Sequence, residues 1–434
     1  MSKVLVQPPA GPKSEAEGSR WIHRRVHHDQ EVFDLEMARL FRRSWMYVGH
    51  ESEIRNTGDY LTASVAGEPI VVVRDKDGAV QAFFNTCTHR GVKIASMPRG
   101  SCGSSFKCMY HGWTFDHEGR CTGVPFFQAY GETFDRHDFD IPRLSVEAFH
   151  GCIFVAIDPL VPTLGEFLGE ITPDLEAAVK ESEVIGRISY MFKGNWKLWH
   201  ENFADGYHPQ FTHQMVKDIE EDYPGQGINQ AMAPGHSVLT WDINPPRFDR
   251  ISATMATITG MEHDVTKDPD FMWPPYPDRE QPQTGPVPQN RIFTVFPNLD
   301  FQDVVNTVKI EILHPVAPDR TRVEVVELGS VHDDQEQRTW RLRHSGISGH
   351  TSGGRIAADD NEAIAMAQQG FAARVVSYSS MSRGQEPGDI GGTYDEYGMR
   401  AFYAEWTRYM GSVPATASPN GDDAATVRAV GEEV

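Results

Sequence analysis

The sequence predicts an α+β protein of two domains, a β-rich block followed by a larger half in which an antiparallel sheet carries helices on one side. Three observations predict it. The chain has 434 residues, more than one hydrophobic core ordinarily organises. From about residue 46 to 158 hairpin signals dominate, and beyond 186 strand-like and helix-like stretches come in runs. Hydrophobic residues make up 39% and charged residues 23%, which suits a globular chain and not a disordered one.

The opening "MSKVLVQPPAGPKSEAEGSR" is broken by Pro and Gly, has no continuous apolar region of a signal peptide, and is read as a flexible arm. In "DQEVFDLEMARLFRRSW" the residues Phe33, Met37, Leu40, Phe41 and Trp45 recur at three- and four-residue spacing, the mark of an amphipathic helix. Residues 1–40 are therefore assigned to an arm and helix packing on the second domain, 41–158 to the β-rich domain and 159–434 to the second domain. In "EPIVVVRDKDGAVQAFFN" two β-rich runs flank Asp77-Gly78, and "WTFDHEGRCTGV" repeats the pattern with Gly119 at its turn. "GCIFVAIDP" reads as a buried strand closed by Pro159. A strand at 186–192 leads into a helical stretch at 195–208. Strands are then expected at 236–242, 291–296, 304–313 and 321–328, and helices at 334–345, 359–371 and 395–410. The stretch 273–290 holds six prolines and is read as a loop, with a lid as one role. The last twenty residues are read as a frayed tail that a subunit contact would order.

The formal charge of −21, with no basic stripe, argues against nucleic acid and anionic lipid as partners. The longest apolar runs, "GCIFVAI" and "IVVV", are strand-sized and too short to span a membrane. Five widely spaced cysteines without a secretion signal do not describe a disulfide framework. A cytoplasmic protein is expected, in which cysteine serves metal or redox chemistry.

Cys87 and His89 stand two positions apart, Cys108 and His111 three apart, and 18 residues separate the pairs. Both pairs fall on loops at hairpin tips. Thiolate together with imidazole selects zinc or an iron–sulfur cluster. Zinc sites commonly pair like with like along the chain, whereas here each loop supplies one of each. That suits two irons, one taking both cysteines and the other both histidines. Neutral imidazole in place of thiolate raises the reduction potential, which makes the cluster an acceptor for a dedicated reductase. With Arg90-Gly91 after the first pair and Gly112-Trp113 after the second, the pattern C-x-H…C-x2-H resembles the Rieske [2Fe–2S] motif of aromatic-ring-hydroxylating oxygenases, with a slightly longer gap. Cys102, Cys121 and Cys152 have no histidine at matching spacing, and Cys152 reads as a small buried hydrophobe.

Downstream, "ENFADGYHPQFTH" carries Asp205, His208 and His213. Asp205 and His208 are i, i+3 on one helix face, so the carboxylate can accept the ring N–H that a metal leaves unused. His213 lies five residues beyond His208, so both reach one ion only if the helix is interrupted, and Pro209 interrupts it. A carboxylate would complete a 2-His-1-carboxylate face with open positions for oxygen and substrate. Asp359 and Asp360, at the start of a late helix in "RIAADDNEAIAMAQQG", are the candidates, and an aspartate there also serves as an N-cap. Residue chemistry alone does not choose between them. The resemblance implies a choice: E-N-…-D-x-x-H-x4-H followed by a late D-D makes His208, His213 and Asp360 the Fe(2+) ligands and Asp205 the bridge.

The resemblance runs from "FRRSWMYVGH" near residue 41 to "RAFYAEWTRYM" ending at 410. It implies a β-rich Rieske domain beside a helix-grip (START-like) catalytic domain. It also implies a trimer of large subunits, with or without a small β subunit (α3 or α3β3), in which Asp205 contacts His111 of the partner subunit. The activity implied is that of a terminal oxygenase. Electrons would come from NADH through a separate reductase, directly or by way of a ferredoxin, since the chain lacks a G-x-G-x-x-G fingerprint. O2 and an aromatic substrate would meet at the iron and leave as a cis-dihydrodiol. Mono-oxygenation or O-demethylation at the same iron is a rival reading. So is an electron carrier with a partner-binding domain, for which about two irons per chain are expected against about three. An aromatic pocket should be apolar with few polar groups. Asn202, Phe203, Phe211, Met232, Phe296 and Leu299 are its candidates, Glu201 and Asn202 as supports. In "VVNTVKIEIL", Lys309 and Glu311 alternate onto one face and would meet either a polar substituent or water.

Overall fold

The computed structural model describes residues 20–213, 227–242, 289–304, 307–348, 354, 356–373, 375–384 and 386–411. Two compact units are present. The smaller comprises Met37–Phe167 and Val179–Val184, and the larger Met1–Glu36, Leu168–Ala178 and Ile185–Val434. Among the described residues no helix is long and apolar enough to cross a membrane. The N-terminal arm up to residue 19, the proline-rich stretch up to residue 288 and the tail after 411 lie outside the described residues. Gln289 and Asn290, read with the loop, begin a strand instead.

The smaller unit is built from short antiparallel sheets. One has four strands in the order Val80–Phe84, Glu68–Arg74, Asp59–Val65, Arg99–Ser101, and a second joins Phe106–Lys107, Thr114–Phe115 and Cys121–Gly123. Both expected hairpins are there, and each is closed by an aspartate at its mouth. Asp75 accepts from the amides of Asp77 and Ala79 and from Gln81; Asp116 accepts from the amides of Glu118 and Arg120. Such side-chain bonds replace the ladder that the turn cannot provide. Burial alone would raise the Asp75 carboxyl, but these donors bring it below its ordinary value. The core joins Val71, Val73, Phe83, Phe106, Trp113 and Phe115 to Cys87 and Cys108. The strand Cys152–Ala156 is buried throughout, Cys152 included.

The larger unit is an eight-stranded antiparallel sheet. Its order is Ser182–Phe192, Arg320–Ser330, Thr307–Ala317, Leu299–Val304, Gln289–Val295, His236–Asp242, Ile228–Met232, Ile390–Gly392. The strand expected at 304–313 is Thr307–Ala317, and the strand before it, Leu299–Val304, was not expected; the two pair from Leu299↔Ile312 to Val304↔Thr307. The strands Ile228–Met232 and Ile390–Gly392 had no clear pattern in the sequence. Helices Gln335–Ser348, Ala357–Gly370 and Tyr397–Met410 match the three late helical stretches.

Two helices depart from expectation in instructive ways. Gln30–Glu36 is α-helical, but Met37–Phe41 widens into a π-helical turn before the strand Met46–His50. The stretch 195–208 stops early, at Phe203. Its start is set by Asn195, whose side chain accepts from the Lys197 amide. Its end is set by Asp205, whose carboxylate accepts from the Tyr207 amide at 2.7 Å and so offers the backbone an alternative to the helix. The helix Trp196–Phe203 is anchored by Glu36, which accepts from Lys197 Nζ (2.7 Å), Trp196 Nε1 (2.9 Å) and Trp406 Nε1 (2.8 Å).

Candidate metal centres

The two cysteine–histidine loops are one turn used twice. The Cys87 amide donates to the Val92 carbonyl (2.7 Å), and the Gly91 amide donates back to the Cys87 carbonyl (2.8 Å). In the second loop the Cys108 amide donates to the Trp113 carbonyl (2.8 Å), and the Gly112 amide to the Cys108 carbonyl (3.0 Å). Closing the turn needs a left-handed fifth residue, and Gly91 and Gly112 supply it with φ of +76° and +72°. The glycine after each pair therefore shapes the loop that presents it. Cys87 and Cys108 are each only 2% exposed. The His89 and His111 rings lie with centroids 4.5 Å apart, and the Trp113 indole stacks on His89 at 4.8 Å.

Burial pushes the Cys87 thiol up, and burial with the neighbouring His111 and Arg90 charges lowers His89. Among the described residues, His89 Nδ1 is buried with no hydrogen-bond partner. Two buried thiols and a neutral, unpartnered imidazole nitrogen are poor company for water and suited to a metal group that replaces their protons.

In the larger unit, Pro209 begins a short second helix, Pro209–Thr212, between the two histidines, and this break turns them toward one point. His208 Nε2 lies 3.4 Å and His213 Nε2 3.3 Å from the same atom, Asp360 Oδ1. One ligand atom from each of the three residues lies within 4.8 Å of the others. Bonds of about 2.1 Å at right angles hold their donor atoms about 3 Å apart, so this spacing fits one face of an octahedral ion. Asp360 is in the first turn of Ala357–Gly370 and is 3% exposed. Burial would raise its carboxyl, but the two imidazoles hold it well below the usual range. His208 shows the reverse balance: burial lowers it, and Asp205 and Asp360 together raise it to about 9.

The surroundings orient these groups. Asn202 Nδ2 donates to Asp360 Oδ1 (3.1 Å) and sits 3.3 Å from His208 Nε2. Asp205 Oδ2 is 3.5 Å from His208 Nδ1, and Asp359 Oδ2 is 3.6 Å from His213 Nδ1. Both are ion-pair contacts, too long for hydrogen bonds. Asp205 thus meets His208 through a turn and not along a helix face. Asp359 lies against the other ring nitrogen of His213 from Asp360, a placement sequence reasoning missed although the Asp-Asp pair was its signal. Arg383, also missed, lies 3.4 Å from Asp205 Oδ1 and over the Tyr207 ring at 4.0 Å.

The pocket candidates differ in their surroundings. Phe203 is buried beside the Trp199 ring, and Leu299 is buried between Val295 and Ile312 in the sheet. Phe296 is packed on Tyr409 and Phe402 of the C-terminal helix. Met232 is half-buried at a strand end, and Phe211 is 65% exposed with its ring against Tyr207.

A thiol–imidazole loop pair on one unit and two histidines meeting a carboxylate on another define a class, an oxygenase with an electron relay and a separate iron. Comparison with known proteins takes this to a family. Residues 44–141 match the Rieske [2Fe-2S] domain, and residues 179–412 match the ring hydroxylating alpha subunit (catalytic domain). The 2-aminobenzenesulfonate 2,3-dioxygenase subunit alpha of Alcaligenes sp is 30% identical over 90% of this chain and 94% of its own length. The terephthalate 1,2-dioxygenase terminal oxygenase component subunit alpha 2 of Comamonas sp is 31% identical over 89% and 94%. Among solved structures, naphthalene 1,2-dioxygenase from Rhodococcus sp. shares the fold with a TM-score of 0.76 at 22% identity, covering 90% of this chain and 94% of that one. The chain belongs to the ring-hydroxylating oxygenase alpha subunits, oxidoreductases with a Rieske [2Fe–2S] cluster and a non-heme iron.

Proposed function

We propose that Cys87, His89, Cys108 and His111 hold the cluster, that His208, His213 and Asp360 hold Fe(2+), and that the chain is the terminal oxygenase of a system that dihydroxylates an aromatic ring in cis. The observation that carries the reading is the meeting of both Nε2 atoms on Asp360 Oδ1, with Nδ1 of each ring turned to a further carboxylate. When bound, the two metal groups supply one-electron transfer and oxygen activation. The chain's own residues prepare for this. Asn202 fixes the Asp360 carboxylate, and Asp205 and Asp359 set the ring orientation of His208 and His213 from behind.

In this reading Asp205 also bridges to His111 of the partner subunit in a trimer, α3 or α3β3. The relatives' naming as alpha subunits supports a multi-subunit assembly. Electrons come from NADH through a separate reductase, with or without a ferredoxin, in the cytoplasm, where the three cysteines outside the cluster, Cys102, Cys121 and Cys152, would stay reduced. A second reading, mono-oxygenation, is supported by a solved relative in fold that is a quaternary ammonium Rieske monooxygenase, TM-score 0.71 at 19% identity. Product analysis separates the two. The test of the site is His208→Ala: the cluster absorption should persist while substrate-dependent product disappears and iron falls from about three to about two per chain. Loss of the cluster signal, or turnover that survives, would refute these roles.

A further inference from the structure

Inside the larger unit a band of charge is sealed between sheet and helix. The register sets Asp300 opposite Glu311 and Gln302 opposite Lys309, and Lys309 in turn opposite Glu327, so all share one face of the sheet. Asp300 and Glu311 are fully buried, and Lys309 is 3% exposed. The helix Trp196–Phe203 covers this face: Trp199 Nε1 donates to Glu311 Oε2 at 2.9 Å, and His200 Nδ1 comes within 2.7 Å of Asp300 Oδ1. That second approach is an ion-pair contact, and it works against the burial that raises the Asp300 carboxyl. Among the described residues, Asp300 Oδ1 and Oδ2, Glu311 Oε1 and both His200 nitrogens are buried with no hydrogen-bond partner.

We propose that Asp300 and Glu311, with His200 beside them, receive an N–H-bearing substituent of the substrate, so that the enzyme acts on rings carrying an amino group. The inference rests on the oxygenase reading above and names its substrate class. Buried acceptors left bare are destabilising, and a fold keeps them where something else supplies the donors. What is missing here is donors, since carboxylate oxygens predominate among the bare atoms. A carboxylate or sulfonate on the ring would bring a charge onto a sheet face where burial already pushes the Asp300 and Glu311 carboxyls toward their neutral forms. The carboxylate acting most strongly on Lys309 is Glu327, which lies directly opposite it. An arylamine is neutral and brings two N–H groups without a further charge to bury. The band is linked to Asp360 by its covering helix and by Tyr190. Its covering helix carries Asn202, which holds Asp360, and the Tyr190 hydroxyl is acted on by Glu311 and Asp360 together.

The test uses the holoenzyme and three probes of similar size, aniline, toluene and benzoate, with binding measured by calorimetry. Aniline should bind tighter than toluene by about tenfold or more, as expected when one partner of a hydrogen bond to a buried carboxylate is absent. Asp300→Asn and Glu311→Gln should each shrink that ratio while leaving toluene unchanged. The comparison on the unaltered protein decides even where a variant fails to fold. Equal affinities for aniline and toluene would overturn the proposal, and so would benzoate binding tightest, which would put Lys309 in contact instead. Selective aniline binding without hydroxylated product, in the presence of NADH and a competent reductase, would sink the oxygenase reading and leave the amine site standing.

Discussion

Replacing Glu36 by leucine tests how the helix that leads into the iron site is held. Glu36 and Lys197 are both fully buried, and their ion pair at 2.7 Å joins residues 161 positions apart in the chain. The same carboxylate accepts from the indoles of Trp196 and Trp406. Burial already depresses the Lys197 ammonium, and Glu36 is the largest influence in the other direction. Glu36→Leu would strand a buried ammonium, at about 3–5 kcal/mol, and two indole N–H groups, at about 1–3 kcal/mol each. These losses overlap, because Lys197 escapes part of its cost by losing its proton. A net loss of roughly 5 kcal/mol is expected, which takes most of the margin of a domain stable by about 5–15 kcal/mol. Urea unfolding followed by tryptophan fluorescence reads it as a lower midpoint at unchanged slope. The double variant Glu36→Leu/Lys197→Met should regain the share due to the stranded ammonium, since apolar residues replace a buried ion pair at little cost, while the two indole N–H groups stay unpaired. A single variant that loses less than about 1 kcal/mol, or a double variant no better than the single, would refute the reasoning.

Further outcomes follow from single features. Gly112→Ala places a Cβ on a residue at φ +72° and 3.3 Å from Pro125 Cγ, and should cost about 1–2 kcal/mol and lower cluster occupancy, measured as absorbance per chain. Asp359→Asn should weaken iron retention at the larger unit's site by about tenfold or more with the cluster intact, measured by metal analysis against a chelator. Glu311 gives a pH dependence. Burial raises its carboxyl from 4.5 to about 8, so the folded state keeps a proton that the unfolded state releases. Stability should therefore fall as pH rises between those values, by up to about 1.4 kcal/mol per unit, and Glu311→Gln should flatten the slope. A wild-type profile already flat across that range would count against a neutral Glu311.

The parts of the site that could be read from the sequence are those whose geometry is local. Each cysteine–histidine loop is a turn of six residues closed by its own backbone, and the glycine that closes it is in the motif. The interruption at Pro209 is likewise local, and it does bring His208 and His213 to one point. Asp360 was harder because the choice between two adjacent aspartates depends on which side of a helix start faces a partner 150 residues away. Periodicity carries no such information. The early end of the helix at Phe203 and the π-helical turn after Glu36 belong to the same class of miss, since side-chain competition and tertiary packing overrode a sound helical pattern.

Lys309 and Glu311 mark the limit most sharply. Alternation along "VVNTVKIEIL" places both on one face of a strand, and this is correct. Nothing in a two-residue period states what lies over that face, so a polar substituent and water both stay open for the charged residues there. Cover comes from Trp199 and His200, which arrive from a helix more than a hundred residues earlier. Once that helix is in place, the face is deprived of solvent, and carboxyl oxygens that find no partner among the described residues favour the polar substituent over water. A general rule follows for strands of this kind. Charge alternating with apolar residues identifies a two-faced strand, and only the burial of the charged face distinguishes a surface from a recognition site.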